Sequence, residues 1–541
     1  MTVVLVSIAY LLPSYVEFPM DDTYIHFVYA QNLSEQGKLF FSLPDEKGVG
    51  STSILWVLFL ASGHKLGLPL HSLAKALGML SLSIVGVGIY ELLNPIWRRL
   101  PAFVVAMLVV LSGNMIWFAL SGMETMLFLG LGVLALLIYR KEQWGWLGFV
   151  MGLLILTRPE GVMLPAAIAF IELWRKKRVP RGFVIASLIS LVICGPWLGY
   201  LLWRTGNILP TSAIGKQLTF AIGTRAIAEM AGSLAVLARF PALIYVGLWS
   251  VYLLEFALGG LALPPPHIAV GKVVGNPNYT VSAWAIVGLV GIVLPLLITA
   301  GRRVSDFRRW PSWISDRARR PMIVMLAWAF LHNLSYMVFM PTPGTASRYG
   351  AINHVILWLA LGIGLFNLPY RRLRLWVAGG LIIIATVNIL YWNGVYDANL
   401  DHMLKVRIAA AHFIRDNFST DERCAGSDIG AMRYHSKRPI FDLGALVDPE
   451  AGQRFLDGSI DQYLVENGVT CVVLPGRRGT TTEGWFDMAD IMGLTTTPIF
   501  DMDLITVFEI DYDRWLQGYL PTNNYQASVT IYRLVAKSSS D

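Results

Sequence analysis

Asp21 and Asp22 stand side by side directly after the first hydrophobic segment, in a chain that otherwise keeps its charges out of its long apolar runs. Two carboxylates close to hydrocarbon, yet wet enough to ionise, suit a general base acting on a lipid-linked substrate. The same pair suits a helix N-cap, although capping needs only one of them. His26 and Tyr29 fall on the helical face of Asp22, and Tyr24, Phe27, Val28 and Phe40-Phe41 add apolar and aromatic surface. That pattern predicts an amphipathic helix lying in the membrane interface. A flexible turn, Gly48-Val49-Gly50-Ser51-Thr52-Ser53, then leads into the apolar run Ile54 to Ala61.

The other candidates are single charges at the ends of apolar segments. Glu124 opens one such segment, where it serves either a site or simply the helix dipole. Arg158-Pro159-Glu160-Gly161 interrupts a long apolar stretch. Its arginine either grips a lipid phosphate through its planar fork or pairs with Glu160. Lys216 ends a Gly/Pro-shaped loop, placed for phosphate binding or for snorkelling. Arg348, beside Tyr349, begins a helix, where a cation lacks a capping rationale and an anionic ligand would explain it. There is no phosphate-binding glycine loop with its lysine, no zinc-spaced His/Cys set and no serine elbow.

These residues need elements to hold them, and the composition says which kind. Of 541 residues, 55% are hydrophobic and only 15% charged, against about 25% charged in a soluble domain. Apolar runs of about 20 residues, the length that spans a bilayer, recur as far as Asn393 and then stop. This divides the chain into a polytopic membrane domain, 1–396, and a C-terminal α/β domain, 397–541. The formal net charge of +7 sits in short clusters between apolar runs, the positive-inside pattern, and not in an aromatic-interleaved groove for nucleic acid.

With the basic clusters placed in the cytoplasm, spans are expected at 2–18, 72–93, 101–119, 123–139, 183–203, 282–300, 322–340, 350–368 and 375–393. Two further helices in 144–174 turn at Arg158–Gly161, which makes about eleven. Residues 2–18 read as a retained helix, and 226–263 as an even number of crossings or a surface excursion. The long first outer loop then covers 19–70. Asp21-Asp22, Glu124, Arg158, Glu160, Lys216, Arg348 and the C-terminal domain all emerge on the outer face, in contrast to the mid-membrane polar groups of a transport pathway. In the C-terminal domain, strands are expected at 469–474, 505–510 and 529–535 and helices at 403–418, 460–466 and 485–492. Cys424 and Cys471 can pair if that domain is extracytoplasmic.

Taken in order, the stretches Asp21-Asp22-Thr23-Tyr24-Ile25 with Tyr29 to Leu33, Gly50 to Ser53, Thr157 to Gly161, Gly206 to Pro210 running on to Lys216, Ser347-Arg348-Tyr349, and Asp428 to Tyr434 followed by Asp442-Leu443-Gly444 resemble the GT-C membrane glycosyltransferases. The tighter resemblance is to the branch holding the actinobacterial cell-wall arabinofuranosyltransferases. It implies transfer of a sugar, arabinofuranose or in a second reading mannose, from a polyprenyl-phosphate donor to a glycan or other hydroxyl acceptor at the outer face of the cell membrane. Asp21 or Asp22 would be the base. Arg158, Lys216 and Arg348 would hold the donor phosphate, and His26, Glu124, Glu160 and Tyr349 would line the substrate site. One aspartate pair without a third ligand points away from an essential metal or cofactor. A lipid-linked glycan flippase is the rival from another class.

Overall fold

The structure is a computed structural model that describes residues 16–43, 46, 48–97, 99–216, 289–305, 316–339, 344–476, 488–511, 514 and 528–537. The expected first helix (2–18, but for its last three residues), the segment 226–263 and residues 282–288 lie outside the described residues.

Apolar sequence gives long helices. Leu70–Trp97, Arg181–Thr205, Asp316–Phe339, Thr345–Phe366 and Arg371–Asn417 are long and apolar enough to cross a membrane, by length and composition. Thr125–Arg140 and Trp144–Thr157 are shorter apolar helices. The expected turn between 144 and 174 is present: a single 3-10 turn, Pro159–Val162, separates Trp144–Thr157 from Met163–Lys176. Small residues let helices close on one another. At Gly148 and Gly152 of Trp144–Thr157, an added Cβ would come within 2.4 Å of the Ala186 carbonyl oxygen and 2.6 Å of Ile193, a GxxxG contact of the kind that packs membrane helices. Leu188, Leu191, Val192, Ile382, Ile383 and Leu390 stay exposed on the outer helices, as a lipid-solvated surface requires.

The span expected at 101–119 needs one correction: it is bent. Arg99–Val110 and Gly113–Leu120 meet at a 57° bend, and Ser112 is extended. The backbone groups freed by the bend must be satisfied where no water is at hand. Asn388 Oδ1 accepts from Gly113 N at 2.6 Å, Asn114 Oδ1 accepts from Met115 N at 3.0 Å, and the Asn114 amide meets the buried His354 ring.

A second correction concerns Asp22–Gln36. It is helical as expected, with Asp22, His26 and Tyr29 on one face, but it is not an interfacial helix laid on lipid. Nine of its fifteen residues are buried, between the Ile54–Lys65 helix and the Gly430–Ser436 helix of the C-terminal unit. Its aromatic residues pack on protein: Tyr24 and Phe27 lie 5.5 and 5.6 Å from Tyr434.

The C-terminal unit is a mixed five-stranded sheet, β1 (Arg423–Gly426), β2 (Ile440–Asp442), β3 (Val469–Pro475), β4 (Phe500–Glu509) and β5 (Ser528–Ala536), in the order β2-β1-β3-β5-β4. The first three are parallel and β5 and β4 antiparallel. Ile460–Glu466 is the expected helix, with Tyr463 and Leu464 buried in the core of one sheet face. The other face shares a core with the Asp22–Gln36 and Ile54–Lys65 helices, through Met403, Val406 and Ile414. Arg371–Asn417 is helical through the 396/397 boundary. A disulfide joins Cys424 and Cys471, which face each other across β1 and β3.

Candidate active site

Helix ends deliver the charged side chains. Asp22 starts Asp22–Gln36, Glu124 precedes Thr125–Arg140, and Arg158 ends Trp144–Thr157. Arg348 lies in the 3-10 turn Thr345–Gly350 ahead of Ala351–Phe366, and Lys216 lies in the helical residues 211–216 that follow Pro210. Ala346 and Ser347 are held at φ of 58° and 59°, left-handed values that cost an ordinary residue energy and often mark a functional turn. The opposite end of the bundle collects the basic loops: Arg320 pairs with Glu142 at 2.7 Å and Arg175 with Asp316 at 2.6 Å.

A pocket forms where these helix ends meet. Asp22, Ile25 and His26 line it from one helix, with Gly50 and Thr52 from the following turn and Met123 and Glu124 from the next loop. Ser212, Lys216, Arg348, Tyr349 and, from the C-terminal unit, Leu446 complete it. Asp22 is the carboxylate that faces the cations. Its Oδ2 accepts from Arg348 and lies 4.0 Å from Lys216 Nζ. Burial alone would raise the Asp22 carboxyl, but the charges of Arg348 and Lys216 overcome it and hold the group below its ordinary value. Lys216 Nζ donates to the Tyr349 hydroxyl at 2.8 Å, and Arg348 does so at 3.3 Å. Tyr349 is thus a hydroxyl gripped by two cations, with its backbone carbonyl bound by His332 at 2.6 Å.

Asp21, one residue earlier, points elsewhere. Its two oxygens accept from the backbone N–H groups of Gly430 and Ala431, at 2.8 and 2.7 Å, and it does not line the pocket. It caps a helix of the C-terminal unit and not its own, on which it makes no side-chain cap bond. Burial, with the nearby charge of Asp428, pushes its carboxyl up to about 7 against the pull of Arg407 and the two N–H donors. Arg407 is itself buried and paired with Asp428.

Arg158 and Glu160 stand one layer behind the pocket. Arg158 donates to Glu124 at 2.7 Å, to Glu160 at 2.5 Å and to the Tyr336 hydroxyl at 3.0 Å, and its guanidinium covers the Tyr349 ring at 4.4 Å. Of the two alternatives for this arginine, the pairing with Glu160 is present, and through Glu124 and Tyr349 it also buttresses a pocket that it does not line. His26 lies 3.4 Å from Glu124 and its other ring nitrogen 3.1 Å from Ser51 Oγ.

Sequence reading missed Tyr336, Leu446 and Arg407. For Tyr336 there was a signal, since His332 and Tyr336 put two polar groups one turn apart in an apolar helix. Leu446 and Arg407 carried none. Among the described residues, no group of three or more His, Cys, Asp or Glu side chains is placed to hold a metal ion.

Residues 395–532 match a family model described as a domain of unknown function, DUF8728. No curated protein sequence matches the chain. Among solved structures, ArnT from Cupriavidus metallidurans bound to undecaprenyl phosphate is similar over 100% of this chain and 97% of its own, at 13% identity and a TM-score of 0.52. ArnT from the same organism in the apo state gives 94% and 93%, 12% identity and 0.50. The arabinofuranosyltransferase AftD from Mycobacteria is similar at 12% identity and a TM-score of 0.43, over 99% of this chain and 42% of its own. The likeness to ArnT is one of fold.

Proposed function

We propose that this chain is a membrane glycosyltransferase of the GT-C type, moving a sugar from a polyprenyl-phosphate donor to an acceptor hydroxyl at the outer face of the membrane. The observation that carries the reading is the single pocket in which Asp22, Arg348, Lys216 and Tyr349 meet. Arg348 and Lys216 suit the phosphate, and Asp22 suits the acceptor proton. The acceptor oxygen bonds to the anomeric carbon as the bond from that carbon to the phosphate oxygen breaks. The electron pair leaves with the phosphate, whose growing charge preplaced cations stabilise most in the transition state. Asp22 takes the acceptor proton. Paired with two cations that hold it ionised, this carboxylate is a poor base. Donor phosphate competes for the same cations, so donor binding releases Asp22 and strengthens it as a base.

The ordered motifs make arabinofuranose the first donor sugar to test and mannose the second. The disulfide, which persists in oxidising compartments, and the collection of basic loops at the far end support an extracytoplasmic site and C-terminal unit. The deciding experiment incubates the purified protein with short-chain polyprenyl-phosphate sugars and hydroxyl acceptors and measures polyprenyl phosphate release. Release that depends on acceptor and is abolished by Asp22→Ala is expected. A folded Asp22→Ala protein working at full rate would overturn the assignment, and a flippase would move the lipid with its sugar–phosphate bond intact.

A further inference from the structure

Among the described residues, the C-terminal unit reaches the pocket at one side chain, Leu446. The loop that carries it runs from β2 to the Pro449–Leu456 helix and is wound around a single buried carboxylate. Asp442 accepts from the backbone N–H groups of Gly444, Val447 and Asp448, at 2.8, 2.6 and 3.3 Å. Ala445 next to Leu446 is held at a φ of 55°, a conformation a non-glycine residue keeps only when its surroundings impose it.

The surroundings do impose it. The loop is pressed between the two segments that build the rest of that wall. A Cβ at Gly48 would lie 1.6 Å from the Val447 carbonyl oxygen, and one at Gly50 would lie 2.3 Å from Val447 Cγ1. On the other side, a Cβ at Gly215 would lie 1.9 Å from the Ala445 carbonyl oxygen. Gly50 itself lines the pocket and Gly215 precedes Lys216. The three glycines are therefore the space the loop occupies, and Leu446 is fixed against the pocket by backbone contact on both sides.

The chemistry of that wall follows. Asp22, Arg348, Lys216 and Tyr349 make the charged part of the pocket, and a donor's sugar ring is one bond from the phosphate they would hold. An apolar side chain on the same small pocket suits the C–H face of a sugar ring and offers nothing to a charged or hydroxylated face. We propose that Leu446 is a specificity-determining residue, the surface against which the C–H face of the donor sugar packs. This rests on the glycosyltransferase reading above.

The test uses the full chain in lipid nanodiscs and measures binding of bare undecaprenyl phosphate and of undecaprenyl-phosphate pentose, hexose and aminohexose. The wild type is expected to prefer one sugar class. Leu446→Trp should weaken that lipid at least tenfold while bare undecaprenyl phosphate stays within twofold, and Leu446→Ala should level the preference among sugars. A preference unchanged in both variants overturns the proposal, as does equal loss of bare and glycosylated lipid in both. A wild type that binds no polyprenyl phosphate, bare or glycosylated, overturns the glycosyltransferase reading instead.

Discussion

Asp21 and Asp22 share chemistry and neighbourhood but not fate. Consecutive residues on a helix diverge by about 100°, so one carboxylate faces Arg348 and Lys216 and the other the backbone of Gly430 and Ala431. Asp22→Asn should lower transfer by about 10²- to 10⁴-fold, the range for a lost base. It should also tighten binding of undecaprenyl phosphate, since the competitor for Arg348 is gone; kinetics and a lipid-binding titration check the two halves separately. Asp21 and Asp442 make a different prediction. Burial pushes both carboxyls up to about 7. Between the ordinary value of 3.8 and 7 the folded protein therefore holds protons the unfolded chain has released, and stability falls as pH rises through that window. His435, pushed down to about 4 by burial, acts in the opposite sense, but only below its ordinary value of 6.5. Thermal unfolding should accordingly show a higher midpoint at pH 6 than at pH 8.

The elements were legible to different degrees. Apolar runs bounded by basic clusters placed most helices, because lipid demands length and hydrophobicity and little else. The candidate site residues were legible for a related reason: charge is expensive beside hydrocarbon, so Glu124, Arg158, Lys216 and Arg348 stood out at the edges of the apolar runs. What was not legible depends on partners far away in the chain. Asp21 finds its donors 409 and 410 positions on, and the loop holding Leu446 is shaped by glycines at 48, 50 and 215. The bend at Ser112 was hidden because its polar partners, Asn388 and His354, belong to distant helices. Two predictions belong here. Gly48→Ala should force the 443–448 loop outward and weaken transfer while leaving the helices folded, as circular dichroism would show. Arg158→Met would strand Glu124 and Glu160 in a buried setting, at a cost of about 3–5 kcal/mol for a broken buried pair. It should lower the thermal midpoint, whereas a residue that only held phosphate would leave it unchanged.

At the scale of the whole molecule, the membrane helices and the C-terminal sheet are joined by a common core, in which Tyr24, Phe27 and Trp56 belong to the same cluster as Met403, Ile440 and Ile531. The disulfide permits a direct check of the sheet's surroundings. The chain has three cysteines, two of them bonded and Cys194 buried and free. In denaturant one thiol should react with a maleimide before reduction and three after it. Two thiols more in the unreduced sample would mean that the bond is absent. The helical run Arg371–Asn417 has a further consequence. It is 47 residues long, about 70 Å at 1.5 Å per residue, whereas bilayer hydrocarbon is about 30 Å thick. Such a stanchion cannot be buried whole, so its upper part must stand clear of the lipid and carry the sheet at a fixed height. Thinning or thickening the bilayer would then tip the stanchion and shift Leu446 relative to a phosphate anchored at the headgroups. Sugar transfer in vesicles of graded acyl-chain length should pass through an optimum, with the protein acting as a caliper of the membrane around it.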